Sequence, residues 1–315
     1  MTSISDDAPI LVVGGRGFVG AAVVRHLARR GRRLHLFGPA AAGALPDGVD
    51  ETAGSITDAA ALAAILGRLR PRCVVSFAAF SSGTVGLSRS GEIDPEQALA
   101  VNVLGFRRLL AAAVDAGVRR VIWSSSTVVL GAAQDLVHRL DESAPRRPLT
   151  NYGLTKLLAE DVAAFMRRRH DLETIGLRIP LMLGPGLWYD GAAAVVKRMV
   201  AAARTRTRPR VEVPGVPFDA MHVDDAGALV ERLVGHDGPL AALYNVAGFT
   251  TDHATIRSRL AALVPGFDAD LATTPPPIVY PLVSQAALER DTGWRHRHDL
   301  DAVLRDMLAE GSSPS

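Results

Sequence analysis

Tyr152 and Lys156 stand four residues apart in "NYGLTK", residues 151–156. At that spacing two side chains share one face of a helix and lie side by side. A phenol titrates near ~10 in water, too high for a base at neutral pH. A neighbouring ammonium favours the phenolate and lowers that value, so the pair reads as a unit that gives and takes a proton. The same spacing also describes a solvated pair on a helix surface. Composition adds a constraint: the chain has 35 basic residues, and only Lys156 and Lys197 are lysines. One of two lysines in an arginine-rich chain stands where a compact ammonium with an adjustable pKa would matter.

A second chemical pattern lies near the N-terminus, in "ILVVGGRGFVG", residues 10–20. Gly14, Gly15, Gly17 and Gly20 follow an apolar run and precede an amphipathic stretch that contains Phe18 and Val19. The glycines let the backbone turn sharply and approach a pyrophosphate at a helix N-terminus, the arrangement of a dinucleotide site. Such sites often carry an acid at the end of the second strand to hold the adenosine ribose. Here that strand, "RLHLF", ends at Gly38, so the acid is missing. Arg16, inside the glycine loop, stands near where a 2′-phosphate would lie, although it also reads as a solvent-exposed side chain. Together the two features favour NADP slightly over NAD.

The elements that must position these groups alternate along the first half of the chain. Strands are expected at 10–13, 33–37, 73–79, 120–126 and 174–179, with helices at 18–30, 58–69, 95–117 and 152–169. Continuous apolar strands alternating with helices predict an α/β fold, a Rossmann-type doubly wound parallel sheet covered on both faces. After residue 180 prolines and glycines accumulate. We read 1–180 as the nucleotide-binding domain, with returns of 215–250 to it, and 181–315 as mainly a smaller α+β substrate domain. The run "RTRTRPR" (204–210) reads as a solvated helix end or a phosphate-binding patch.

The 315 residues carry a net charge of +2, which gives no overall footprint for nucleic acid. A lone cysteine, Cys73, excludes an internal disulfide and a Cys-rich zinc site, and its apolar surroundings make it a small buried hydrophobe. "MTSISDDAP" lacks the basic and apolar regions of a signal peptide, and no apolar run reaches ~18 residues, so a soluble cytoplasmic protein is expected.

These motifs resemble the extended short-chain dehydrogenase/reductases, the NAD(P)-dependent epimerase/dehydratase family. The resemblance rests on "GGRGFVG", "SFAA" (76–79), Asn102 in "AVNVLG", "SSSTVVLG" (124–131), "YGLTK", "LRIPLMLGPG" (177–186), "MHVDDAGA" (221–228), "YNVAG" (244–248) and "TGW" (292–294), in the family's order across nearly the whole chain. It implies that Ser126 orients the substrate oxygen, that Tyr152 moves the proton at the carbon where hydride is exchanged, and that Lys156 supports Tyr152. It further implies cofactor contacts from the glycine loop, Gly38, Ser55, Ile56, Ala78, Ala79, Asn102, Ser124 and Ile179. Substrate would meet Phe80, Ser81, Ser126, Leu181, Trp188, Tyr189 and Phe218. His222 reads as structural.

Three positions depart from the family's pattern. Leu181 stands where members acting on nucleotide-linked sugars often carry Asn, Phe218 where many carry Arg, and Ser55 where Asp commonly faces the adenine. The first two remove groups that would grip a diphosphate. The leading expectation is therefore net oxidation of a secondary alcohol or reduction of a ketone. An epimerase or dehydratase with transient oxidation, and a cofactor-sensing binding protein, are the alternatives. The family also implies a homodimer through helix 95–117 and the helix from Tyr152, whose apolar arc runs through Leu154, Leu157, Leu158, Val162, Phe165 and Met166.

Overall fold

The computed structural model describes residues 8–310. The N-terminal stretch read above for a signal peptide lies, up to Asp7, outside them. The chain opens with β1 (Ile10–Val13), four buried apolar residues, and α1 (Phe18–Arg29). Then follow β2 (Leu34–Gly38), β3 (Val49–Ala53), α2 (Ala59–Leu69) and β4 (Cys73–Ser76). Next come α3 (Leu87–Ile93), α4 (Pro95–Leu99), α5 (Phe106–Asp115), β5 (Arg120–Ser126), α6 (Asn151–Arg169) and β6 (Glu173–Ile179). These strands and β10 (Leu243–Asn245) build one seven-stranded sheet, ordered β10-β6-β5-β4-β1-β2-β3. Its pairings are all parallel, so the Rossmann-type architecture expected from the alternating pattern is the one found.

The strand order reverses between β1 and β4, which opens a crevice at their carboxyl ends, the place where such sheets take ligands. The glycine loop and the segment 77–81 rim that crevice. Strand β3 is absent from the elements expected above, because "VDETA" buries only Val49 at the sheet edge. The strand expected over 73–79 stops at Ser76, where the chain turns out over the crevice.

The helix expected over 95–117 is present as Pro95–Asp115, with a π-helical turn at Ala100–Gly105 between α4 and α5. By length and composition alone this helix would cross a membrane. It packs instead on α2 and α6, with Phe106, Leu109, Leu110 and Ala113 in the core.

Beyond residue 180 the chain forms β7 (Leu181–Leu183), α7 (Ala194–Thr205), β8 (Arg210–Val213), β9 (Phe218–His222) and α8 (Val223–Val234). After β10 come β11 (Phe249–Thr251), α9 (His253–Leu263), β12 (Asp270–Thr273), α10 (Ala286–Thr292) and α11 (Leu300–Ala309). Strands β11, β9 and β7 form a small mixed sheet, and β12 pairs with β8. Helix α8 packs against α1, where Gly227 lets the helices meet: a Cβ there would lie 2.4 Å from the His26 Cβ.

One buried charge pair joins three of these elements. Arg178 of β6 donates from Nε and Nη2 to the two carboxylate oxygens of Glu160 on α6, both at 2.8 Å. Ser125 of β5 donates to the same carboxylate at 2.6 Å, and Arg146 approaches it at 3.3 Å. The Arg178 and Glu160 side chains are 1% and 4% exposed. Removing one partner of such a pair leaves the other charge buried and uncompensated, typically at a cost of about 3–5 kcal/mol. Glu160→Gln should lower unfolding stability on that scale, read as a fall in the urea midpoint with an unchanged slope. A midpoint equal to wild type would contradict the importance of this pair.

Candidate active site

Helix α6 presents Tyr152 and Lys156 inward because its start is fixed from two sides. The Thr150 hydroxyl accepts from the Gly153 N–H at 3.0 Å, capping the helix. The Glu92 carboxylate of α3 accepts from the Asn151 N–H and from its side-chain amide, each at 2.7 Å. Gly91 allows the close approach, since a Cβ there would lie 2.9 Å from the Tyr152 nitrogen. Tyr152 is 7% exposed, Lys156 3% and Ser126 8%.

The three side chains lie where the end of β5 meets the start of α6. The phenol of Tyr152 lies near the Ser126 hydroxyl, which favours its ionised form. Lys156 Nζ donates to the Ser124 carbonyl at 2.7 Å and lies 5.7 Å from the centre of the Tyr152 ring. Burial pulls the Lys156 ammonium down to about 8, with Glu160 one turn on acting in the opposite direction. The sequence predicts a phenol lowered by this ammonium, and the structure corrects that. Burial pushes the Tyr152 phenol well above its ordinary value, the nearby Tyr189 phenol adds to the rise, and only the Ser126 hydroxyl opposes it. Desolvation of a fully enclosed phenol outweighs its neighbours here, so Tyr152 stands protonated.

Asn102 has a different task from the cofactor contact expected of it. Its side-chain carbonyl accepts from the Phe80 N–H at 2.7 Å, and its amide donates to the Thr155 hydroxyl at 2.9 Å. The π turn supplies this geometry by turning one extra residue into the helix, a distortion frequent at functional sites. Asn102 thus ties the segment after β4 to the Tyr152 helix, while its neighbour Val101 faces the cleft.

The cleft at the strand reversal encloses about 480 Å³. Gly14, Gly15, Arg16, Gly17, Gly38, Ser55, Ile56, Ala78 and Ala79 line it, together with Phe80, Ser81 and Trp188 expected on the substrate side. The glycine loop fits a dinucleotide. Gly14 has φ +78°, and a Cβ there would lie 2.7 Å from the Ala78 nitrogen. A Cβ on Gly20 would lie 2.2 Å from the Gly14 carbonyl oxygen, so only glycine lets α1 start this close to the loop. Among the described residues no side chain caps α1, which leaves its first N–H groups for an anion.

The remaining expected residues surround this cleft rather than line it. Phe18 is buried against Tyr189, ring edge to face at 6.1 Å, and Val19 packs on the core. Ile179 ends β6 beside Ser126, Leu181 is half-buried in β7, and Phe218 packs on His253. Trp188 and Tyr189 stack edge to face at 5.5 Å. The second lysine holds their loop: Lys197 Nζ donates to the Trp188 and Tyr189 carbonyls at 3.2 and 3.0 Å and to Asp190 at 2.9 Å. Asp190 in turn exchanges backbone hydrogen bonds with Thr84 and Gly86 across the site.

Arg16 is not free, which removes one premise of the NADP expectation. Glu51 of β3 accepts from its Nε at 2.9 Å and Nη2 at 2.7 Å, and the Gly43 carbonyl accepts from Nη1 at 2.8 Å. Glu51 itself lines the cleft, as do Pro39, Ala40 and Ala41. No local sequence pattern points to these four. Of "RTRTRPR", Arg208 pairs with Asp268 and Asp270, away from the cleft lining. His222 caps α8 through Nδ1 and stacks on His298 at 4.4 Å. The Cys73 thiol is buried and pushed up to about 12.

Comparison with known proteins gives a consistent picture. Residues 10–247 match the NAD dependent epimerase/dehydratase family. A UDP-glucose 4-epimerase of Streptomyces lividans is 29% identical over 320 residues, 94% of each chain. A uronate dehydrogenase of Pseudomonas putida is 42% identical over 113 residues, 33% of this chain and 41% of that one. Among solved structures, the UDP-glucose 4-epimerase of Thermus thermophilus in complex with NAD superposes with a TM-score of 0.82 at 23% identity, covering 98% of this chain and 100% of that one.

The Lys156 pKa yields a stability test. An unfolded lysine titrates near ~10.4, so between about pH 8 and that value the unfolded chain binds more protons than the folded one. Stability then rises with pH across this window, and below it the buried ammonium carries its full cost. Lys156→Met should therefore melt a few degrees above wild type at pH 7. That advantage should shrink as pH rises from 7 to 9.5 in thermal scans. An advantage that grows with pH would reverse the sign of this assignment.

Proposed function

The chain belongs to the NAD dependent epimerase/dehydratase family, and on that footing we propose that it is an NAD(P)-dependent oxidoreductase acting on a small alcohol or ketone. The substrate is not attached to a nucleotide in this reading. One observation carries it: Arg16, the sole arginine or lysine among the described residues lining the cleft, is paired with Glu51, so the cleft offers no free cation for a second diphosphate beyond the backbone donors one dinucleotide would use. Leu181 and Phe218 add apolar surface where a diphosphate would need donors. The local identity to a uronate dehydrogenase supports the same direction.

Proton chemistry falls to Tyr152. Its protonated phenol, close to Ser126, is placed to donate to a carbonyl oxygen that Ser126 also orients. Lys156 supplies the adjacent positive charge and holds the end of β5 through the Ser124 carbonyl. A nicotinamide dinucleotide bound at the glycine loop would accept or supply the hydride and, when oxidised, bring a further positive charge. The elements after residue 180 other than α8 and β10, which belong with the parallel sheet, form the substrate side with Trp188 and Tyr189 at their edge and act as a second domain. Tyr152→Phe should reduce turnover by about 10²–10⁴ while dinucleotide binding stays within a few-fold. Near wild-type rates in that variant would remove the central assignment.

A second reading is an epimerase with transient oxidation, favoured by the 29% identity to an epimerase over 94% of both chains. Net reduction of added dinucleotide during turnover of a free sugar or sugar acid supports the oxidoreductase. Interconversion of UDP-sugars by protein that retains its dinucleotide supports the epimerase.

We also propose a homodimer. Leu104 on the π turn is 51% exposed, and Leu154 and Phe165 on α6 are 41% and 45% exposed. Leu157, Leu158 and Val162 are half-buried beside them and Met166 is buried, so the apolar arc of α6 is only partly covered. A second copy packing these helices against their equivalents would cover that face. Sedimentation at micromolar concentration should give a dimer, and Leu154→Glu with Phe165→Glu a monomer. A wild-type monomer would rule the assembly out.

A further inference from the structure

The Arg16–Glu51 pair sits at the part of the cleft where a bound dinucleotide turns from pyrophosphate to adenosine ribose. Three placements define this. The glycine loop marks the pyrophosphate. Gly38 ends β2, where a ribose-binding acid ordinarily stands, and a Cβ there would find only the Gly14 nitrogen, at 3.8 Å. Glu51 lies on the adjacent strand in register with Leu36, two residues below Gly38. A glutamate from that depth reaches upward toward the sheet edge, and here its two oxygens meet Arg16. Both residues line the cleft, together with Gly38 and the following Pro39–Ala41.

We propose that Glu51, held by Arg16, is the specificity residue of the adenosine-ribose subsite: it takes over from β3 the role of the acid missing at Gly38 and selects NAD over NADP. This rests on the dinucleotide assignment above and deepens it. The carboxylate spends two of its acceptor directions on Arg16 and keeps others for a ribose diol. A 2′-phosphate would have to approach that carboxylate or displace it from Arg16, and either step sets like charges together. Arg16 is then the holder of Glu51 and not a phosphate receptor. Its third contact, to the Gly43 carbonyl, fixes the loop after β2 over the same subsite. The hydrogen bonds from Arg16 keep the Glu51 carboxyl below its ordinary range, so it is ionised at neutral pH.

The test is equilibrium binding of NAD, NADP and their reduced forms, by calorimetry and by nicotinamide fluorescence, which needs no substrate. Wild type should bind the NAD forms about tenfold or more tightly than the NADP forms, the scale of a like-charge clash. Glu51→Gln should narrow or invert that ratio by a similar factor, chiefly by gaining affinity for the phosphorylated forms. Glu51→Gln combined with Arg16→Met should lose that gain, because the freed guanidinium supplies it. Should Glu51→Gln fold poorly, Glu51→Asp, which keeps the charge but falls short of Arg16, should also relax the ratio. Wild type binding NADP as tightly as NAD, or an unchanged ratio in the Glu51 variants, overturns the proposal while leaving the oxidoreductase reading intact. Binding of no dinucleotide at all overturns both.

Discussion

Two full charges, on Glu160 and Arg178, are removed from water at the meeting point of α6, β5 and β6. Ionised groups at that depth are tolerated only in a paired and fully hydrogen-bonded arrangement, so their geometry is narrowly set. Tyr152, Lys156 and Glu160 recur every four residues and share one face of α6. Rotating the helix to move the phenol would therefore also pull the carboxylate off Arg178 and off the Ser125 hydroxyl. Ser125 lies between Ser124, which receives Lys156, and Ser126, which meets Tyr152. The pair thus holds both halves of the candidate catalytic set in one register. It also places a negative charge one turn from a desolvated ammonium, which keeps Lys156 nearer its charged form than burial alone would allow.

Much of this is legible in the sequence. The glycine loop announces itself through the spacing of its glycines, and the strands β1 and β5 and the Tyr152 helix through local pattern, because each of these buries a continuous or periodic apolar face. What escapes reading depends on partners far apart in sequence. Glu51 lies 35 residues from Arg16, on an edge strand whose half-exposed pattern carries no strong signal. The π turn around Asn102 leaves the helical periodicity on either side intact, so only the contacts to Phe80 and Thr155 reveal it. The short strands β7 to β12 sit among prolines and glycines, where three to five residues give too little periodicity to count. The direction of the Tyr152 shift is opposite to the one the sequence suggests, because a sequence shows a neighbouring charge but not the depth at which the phenol is buried.

The cleft joins two chemistries through a single crossing point. On the proposed dinucleotide side the elements that would meet the pyrophosphate are backbone: glycines that admit close approach and an uncapped helix start. On the proposed substrate side the lining is mostly apolar or hydroxyl side chains, from Phe80 and Ser81 to Trp188 and Tyr189. Asn102 links the two, because the segment it fixes runs from the glycine loop's neighbour Ala78 toward the Tyr152 helix. A change in that segment would be felt on both sides at once.

The scarcity of lysine has a consequence for reactivity. An amine-directed acylating reagent or aldehyde meets only two side-chain amines along 315 residues. Burial lowers the Lys156 pKa to about 8, which gives it a larger free-base fraction than an ordinary lysine, but it is enclosed at 3% exposure. Lys197 is a quarter exposed and committed to the carbonyls of the Trp188–Tyr189 loop. Covalent modification at either position therefore reports on the site itself, with none of the background of surface lysines that dilutes such labelling in ordinary proteins. Peptide mapping by mass would assign these two events separately from reaction at the α-amino group and separate an open site from a closed one.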